Sequence, residues 1–292
     1  MYRVSETEIQ ALINLIDDPD ESIYVQVRER IVALGPPAVP ALERAWEHDD
    51  LGDLFRNRIE DILHIIHLDI TVQRLRRWLD AGAEDLLEGA LAICRYRYPE
   101  LDEPRVRSRL AALRQDIWLE LNDNLTAFEK VRVFNHIFFQ VHGFQGNKRN
   151  YHAPQNSYIN EVLESRMGNP LSLAIIYQVI AEELGLPLKG VNLPNHFVLA
   201  WSDDTGLAPG TLGHKEVLFY VNAFSQGDIL GKSEIDEFLR KLNIPAEERF
   251  YLPCTNAEII RRQLHNLKNS YEKLNDADRV EDIQRLLALF PG

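Results

Sequence analysis

The chain has 292 residues, 45% hydrophobic and 26% charged, which suits folded protein long enough for two compact domains. A net charge of −13, from 32 basic and 45 acidic residues, excludes a general nucleic-acid binder, because phosphate binding needs clustered Lys and Arg that release counterions. Cys94 and Cys254 are the two cysteines and lie far apart, which excludes a disulfide framework and points to a reduced, cytoplasmic setting.

Residues 1–6 carry no apolar leader, and no run of about twenty apolar residues exists, so neither a signal peptide nor a membrane span is expected. Residues 1–100 read as short helices joined by tight breaks. Ser5 with Glu8 suggests a capping box on the first. Val27, Ile31 and Leu34 share one face of the next, which Gly35-Pro36-Pro37 stops. Val39, Leu42 and Trp46 then form a second apolar stripe. Residues 31–42, IVALGPPAVPAL, resemble a HEAT repeat, and further helices are expected at about 51–66, 69–79 and 83–95. A stack of this kind leaves one apolar face to be covered, and the following domain is the expected cover. Arg74, Arg76 and Arg77 come nearest to a basic patch and read as a solvated helix face. His64 and His67 stand at a spacing zinc ligands use, but no third ligand follows, so no metal and no cofactor is expected.

Helices at about 103–122 and 125–141 lead into a loop with Gly143, Gly146, Asn147 and Asn150, which lacks the Gly-Lys-Ser/Thr ending of a phosphate loop. A short helix at about 157–165 follows. Asn169 can then cap, and Pro170 can open, a helix running to Leu184 that is apolar almost all round and therefore buried on most sides. Strand patterns occupy 189–193, 196–201 and 217–221, with a polar loop holding Asp203-Asp204 and Gly210 between the last two. A buried helix followed by an antiparallel sheet is an α+β order, in a chain that is predominantly α. The tail, 254–292, reads as two amphipathic helices parted at Asn275-Asp276: Ile260, Leu264, Leu267 and Tyr271 line the first, Val280, Ile283, Leu286 and Leu287 the second. The pair resembles a tetratricopeptide-like unit, which must pack on the core to bury its apolar face.

The stretch 151–201 holds Tyr151, Asn156-Ser157-Tyr158, Val162-Leu163, Arg166, Gly168, Pro170, Ser172-Leu173, Leu184-Gly185-Leu186-Pro187, Gly190-Val191 and Pro194 before His196-Phe197. In that register it resembles the SirB-type transglutaminase-like family. The resemblance implies a papain-like core, read here over residues 101–252; the HEAT-like segment at 1–100 lies outside it, and the helix pair at 253–292 follows. It also implies a site in which a Cys opens the buried helix, a His lies on the next strand, and an Asp on the following strand orients that His. A helix N-terminus offers unpaired N–H groups and positive partial charge, which stabilise a thiolate and a developing oxyanion. The His takes the proton and the third residue fixes its tautomer.

On this chain the nucleophile position falls at Pro170, the His at His196 and the third position near Asn222. Ser172 is the nearest hydroxyl, and it also suits a plain helix-start hydrogen bond. Both cysteines fall outside the expected site and read as ordinary buried thiols. The expected function is therefore a non-catalytic transglutaminase-like protein that binds a peptide or protein partner in the remnant cleft, with Ser172, His196 and Asn222 as a degenerate triad and Tyr151, Asn156, Asn169 and Asn195 as binding residues. The alternative is a hydrolase or acyltransferase using Ser172 with His196 as base. A third possibility is a regulatory scaffold whose cleft is inert.

Overall fold

A computed structural model describes residues 6–47, 52–203 and 216–291, without the side chains of residues 203 and 216. The Ser5 cap, the start of the helix expected from residue 51, and the loop with Asp204 and Gly210 lie outside the described residues. Contacts divide the chain into two compact units, Met1–Arg77 and Trp78–Gly292. The helix Leu86–Arg97 lies within the second unit.

The first unit holds α1 (Glu6–Asn14), α2 (Glu21–Leu34), α3 (Val39–Trp46) and the front of α4 (Asp53–Asp80). The Asp20 carboxylate caps α2 by accepting from Ser22 N–H at 2.9 Å. Gly35, at φ +64°, ends it, and its N–H bonds the Ile31 and Val32 carbonyls. Ile13, Ile31, Leu42, Ile59 and Ile62 form the core. Trp46 does not complete the expected stripe: it is exposed and donates to Glu60 at 2.9 Å, while Ala38, Ala41 and Ala45 turn inward beside Leu42. Arg58 is buried, donating to the carbonyls of Ile16 and Asp18 at 2.8 Å and pairing with Glu21. The break expected between 66 and 69 is absent. Helix α4 runs through it, since residues 66–69 contain no Gly or Pro to interrupt the ladder.

The second unit continues with α5 (Leu86–Arg97), α6 (Glu103–Glu120) and α7 (Ala127–Asn135), which passes into a π-helical turn at His136–Val141. Strand β1 (Gln145–Gly146), α8 (Ile159–Ser165) and β2 (Met167–Gly168) follow, with β1 and β2 pairing in parallel. Helix α9 (Pro170–Glu183) is buried at every residue from Pro170 to Ala181, as its all-round apolar sequence requires. Then come β3 (Leu188–Leu193), β4 (His196–Asp203), β5 (Glu216–Asn222), β6 (Asp228–Leu230), α10 (Lys232–Lys241), α11 (Asn256–Leu274) and α12 (Ala277–Leu287).

Strands β3 to β6 form one antiparallel sheet in sequence order. Asn195, at φ +56°, supplies the left-handed residue of the Pro194-Asn195 turn, which sets Leu193 opposite His196. Helix α9 lies against β3 and β4. Ile235 and Leu239 of α10 and Phe250 pack with Val191, Val198 and Tyr220 of the sheet. The tail pair docks within this unit: Gln263 Nε2 donates to the Ser157 carbonyl at 2.6 Å, and the Tyr158 and Tyr271 hydroxyls meet at 2.8 Å. The fold is thus α+β and predominantly α. Among the described residues no helix is long and apolar enough to cross a membrane.

Candidate functional site

The front of α9 is built by a reciprocal cap. Ser172 N–H donates to Asn169 Oδ1 at 2.9 Å, and Asn169 N–H donates to Ser172 Oγ at 3.1 Å. Asn169 Nδ2 also reaches Ser157 Oγ at 2.9 Å, so the amide is held at both ends. Pro170 takes the first helical position, where a missing N–H costs nothing. Gly168 is required here: a Cβ on it would stand 2.7 Å from Ser172 Oγ.

This helix start opens onto a cleft of about 600 Å³. Asn169, Pro170 and Leu171 line one side; Tyr151 lies across an edge; Asn195 and His196 come from the β3–β4 turn; Arg262 and His265 come from α11. His196 is half-buried and its side chain hydrogen-bonds Asn222 at the end of β5. Burial is the main force holding its pKa below the ordinary histidine value. The Asn222 bond opposes that shift, and the nearby Arg262 charge adds to it. Asn222 is itself held by the backbone N–H groups of Phe224 at 3.2 Å and Ser225 at 3.3 Å. Burial thus disfavours the imidazolium form of His196, whose partner is a neutral amide.

The expected site residues divide into three groups. Tyr151, Asn169, Asn195 and His196 line the cleft, and Asn222 reaches it through His196. Asn156 is buried behind the Gly/Asn loop, where it accepts from Asn147 Nδ2 at 2.9 Å and donates to the carbonyls of Asn150 at 2.6 Å and Tyr151 at 3.1 Å. It shapes the wall rather than lining it. Ser172 is 1% exposed and absent from the lining; its hydroxyl turns toward Gly168 and the Asn169 backbone. Nothing in this geometry favours its attack on a bound substrate.

Neither thiol enters the cleft. Cys94 is fully buried in α5, and burial pushes its pKa up to about 12. Cys254 Sγ donates to the Gly190 carbonyl at 3.2 Å, lines a neighbouring cavity, and is also pushed up to about 12 by burial. Among the described residues no group of three His, Cys, Asp or Glu stands together as a metal site.

The wall from α11 was not anticipated. Arg262, His265, Asn266, Asn269 and Lys273 recur at spacings of three and four, on the helix face away from Ile260, Leu264, Leu267 and Tyr271. That polar stripe was readable in the sequence, but its partner across the cleft was not.

The start of α9, the strand-borne His196 and its Asn222 partner are thus gathered at one cleft. The family profile described as the transglutaminase-like superfamily matches residues 104–265, more than half of the chain. The chain belongs to the transglutaminase-like superfamily. A UPF0162 protein of Xylella fastidiosa (strain 9a5c) is 32% identical over 219 residues, covering 71% of this chain and 72% of that one. The UPF0162 protein YchA of Escherichia coli (strain K12) is 26% identical over 199 residues, 66% of this chain and 69% of its own. Human F-box only protein 21 is 30% identical over 166 residues, which are 54% of this chain but 25% of that one. No solved structure matches the chain.

Proposed function

We propose that this transglutaminase-like domain is a non-catalytic binding module that takes a peptide or protein segment into the cleft between α9 and α11. The observation that carries the reading is the composition of that cleft. His196 and the front of α9 line it together, yet the residue at the helix start is Pro170, which has no nucleophile. The hydroxyl two residues on is used up in the cap, and both thiols lie elsewhere with raised pKa values. An imidazole partnered by Asn222 rather than a carboxylate would hold an imidazolium poorly, and exchanging a carboxylate for an amide in a serine-protease triad costs about 10⁴-fold in turnover. A cleft of about 600 Å³ lined by amides and imidazoles suits recognition of a segment with its own polar groups. The related segment recurs within a much longer F-box only protein 21, a use that fits a binding module among other parts.

The test is a random-peptide display selection on the full chain, with ester and glutamine-amide hydrolysis measured on the same preparation. Binders that lose affinity in Asn269→Trp, a substitution of an exposed residue that fills the cleft, support the module. Hydrolysis that disappears in His196→Ala contradicts it.

A further inference from the structure

Arg262 is the one arginine lining the cleft, and no carboxylate forms an ion pair with it among the described residues. Its Nη1 donates instead to two neutral acceptors on the end of β3, the Leu193 carbonyl at 2.6 Å and Asn192 Oδ1. The acid one turn earlier, Glu258, lines a neighbouring cavity with Arg262, but its carboxylate is engaged as the cap of α11, accepting from the Thr255 N–H and hydroxyl. Around Arg262 the lining holds Lys273 and the imidazoles of His152, His196 and His265, against a single carboxylate, Glu272. Glu272 is already paired with Lys268. In a chain of net charge −13 the lining thus carries two cationic side chains, Arg262 and Lys273, against one carboxylate that is already paired. Burial lowers the Arg262 pKa, so its charge is carried at a cost that a counter-charge would offset.

We propose that the cleft recognises a peptide through one of its carboxylates, seated against the Arg262 guanidinium beside His196. This rests on the reading of the cleft as a peptide-binding site. A guanidinium presents a planar fork that matches a carboxylate with two parallel hydrogen bonds. Two donor positions of Arg262 are fixed by β3, so the rest of the fork is oriented before the ligand arrives. The carboxylate comes from an Asp or Glu side chain or from a peptide C-terminus, and both present the same planar oxyanion.

The closing experiment uses peptides recovered from the display selection in two formats, one with the random segment internal and one with it ending in a free carboxyl group. Each binder is resynthesised with its carboxylate changed to the amide: Asp or Glu to Asn or Gln in the first format, a C-terminal amide in the second. The expected result is a loss of about tenfold or more on wild-type protein, with a similar loss for the unmodified peptide on Arg262→Gln. Because that variant also removes the bond to Leu193, the amide peptides on the unaltered chain decide. The format that shows the loss tells which source supplies the carboxylate. Cleft-dependent binders indifferent to the amide change overturn this inference and leave the binding module standing. Failure to recover any binder sensitive to Asn269→Trp overturns both. Displacement of binders by inorganic phosphate at concentrations where acetate has no effect points to a phosphate site and also overturns it.

Discussion

Ser172 and Asn169 exchange hydrogen bonds in both directions, at 2.9 and 3.1 Å, and this exchange closes the front of α9. The hydroxyl nearest the place where a nucleophile would stand is thus a structural group. Ser172→Ala removes the acceptor for a buried N–H, and a cap loss of this kind costs about 1–2 kcal/mol. Urea unfolding is expected to show that loss, while peptide binding by the folded variant is unchanged. A loss of binding with unaltered stability would give Ser172 a direct role.

Gly190 lies beneath the site residue's neighbour. A Cβ there would stand 2.4 Å from Phe197 Cζ and 3.0 Å from Ile259 Cδ1, and the Gly190 carbonyl also takes the Cys254 N–H at 2.8 Å. Phe197 is buried and tightly packed, so the ring must shift to make room. Gly190→Ala is expected to destabilise by about 1–3 kcal/mol, as overpacking does, and to weaken cleft binding by shifting His196 along with Phe197. Thermal unfolding and peptide titration read the two effects separately.

The depressed pKa of His196 has a signed consequence. Burial disfavours its proton in the folded state, so between the folded pKa and the unfolded value of about 6.5 the unfolded chain binds more protons. This residue's contribution therefore lowers stability as pH falls below about 6.5 and has no effect well above it. Imidazole NMR should place the His196 midpoint below that of an exposed histidine. In Asn222→Asp the midpoint should rise, because a carboxylate favours the imidazolium. An unshifted midpoint in wild type would contradict the burial assigned to it.

Both cysteines are expected to be inert in the native protein. With pKa values of about 12, roughly one thiol in ten thousand is ionised at pH 8. Iodoacetamide at that pH should leave Cys94 and Cys254 largely unlabelled until denaturant is added. Rapid native labelling of Cys254 would place it in a different environment.

Much of this was legible in the sequence, for identifiable reasons. The all-round apolar run after Pro170 could only be a buried helix, and Asn169 announced its start. The alternation at 189–193, 196–201 and 217–221 fixed three strands to within two residues. Short elements were missed: β1, β2 and β6 have two or three residues each, too few for a period to show, and α10 went unnoticed. The break expected near residue 67 was illusory because no residue there stops a helix. At the site, His196 could be placed by its motif. The burial of Asn156 could not, since its amide is satisfied by Asn147, Asn150 and Tyr151, groups gathered by the fold of the loop. Arg262 stands 66 residues after His196, and only the docking of α11 brings the two together.

The most direct test of an active-site frame that has lost its nucleophile is Pro170→Cys, with the ionisation of the installed thiol followed by its ultraviolet absorbance and its rate of alkylation against pH. A thiol at the start of α9, in the cleft that His196 and Arg262 also line, is predicted to titrate below the ordinary value of about 8.5 and to react at neutral pH faster than either native cysteine. A thiol at position 170 that titrates at or above that value, or that reacts no faster than Cys254, would contradict the frame.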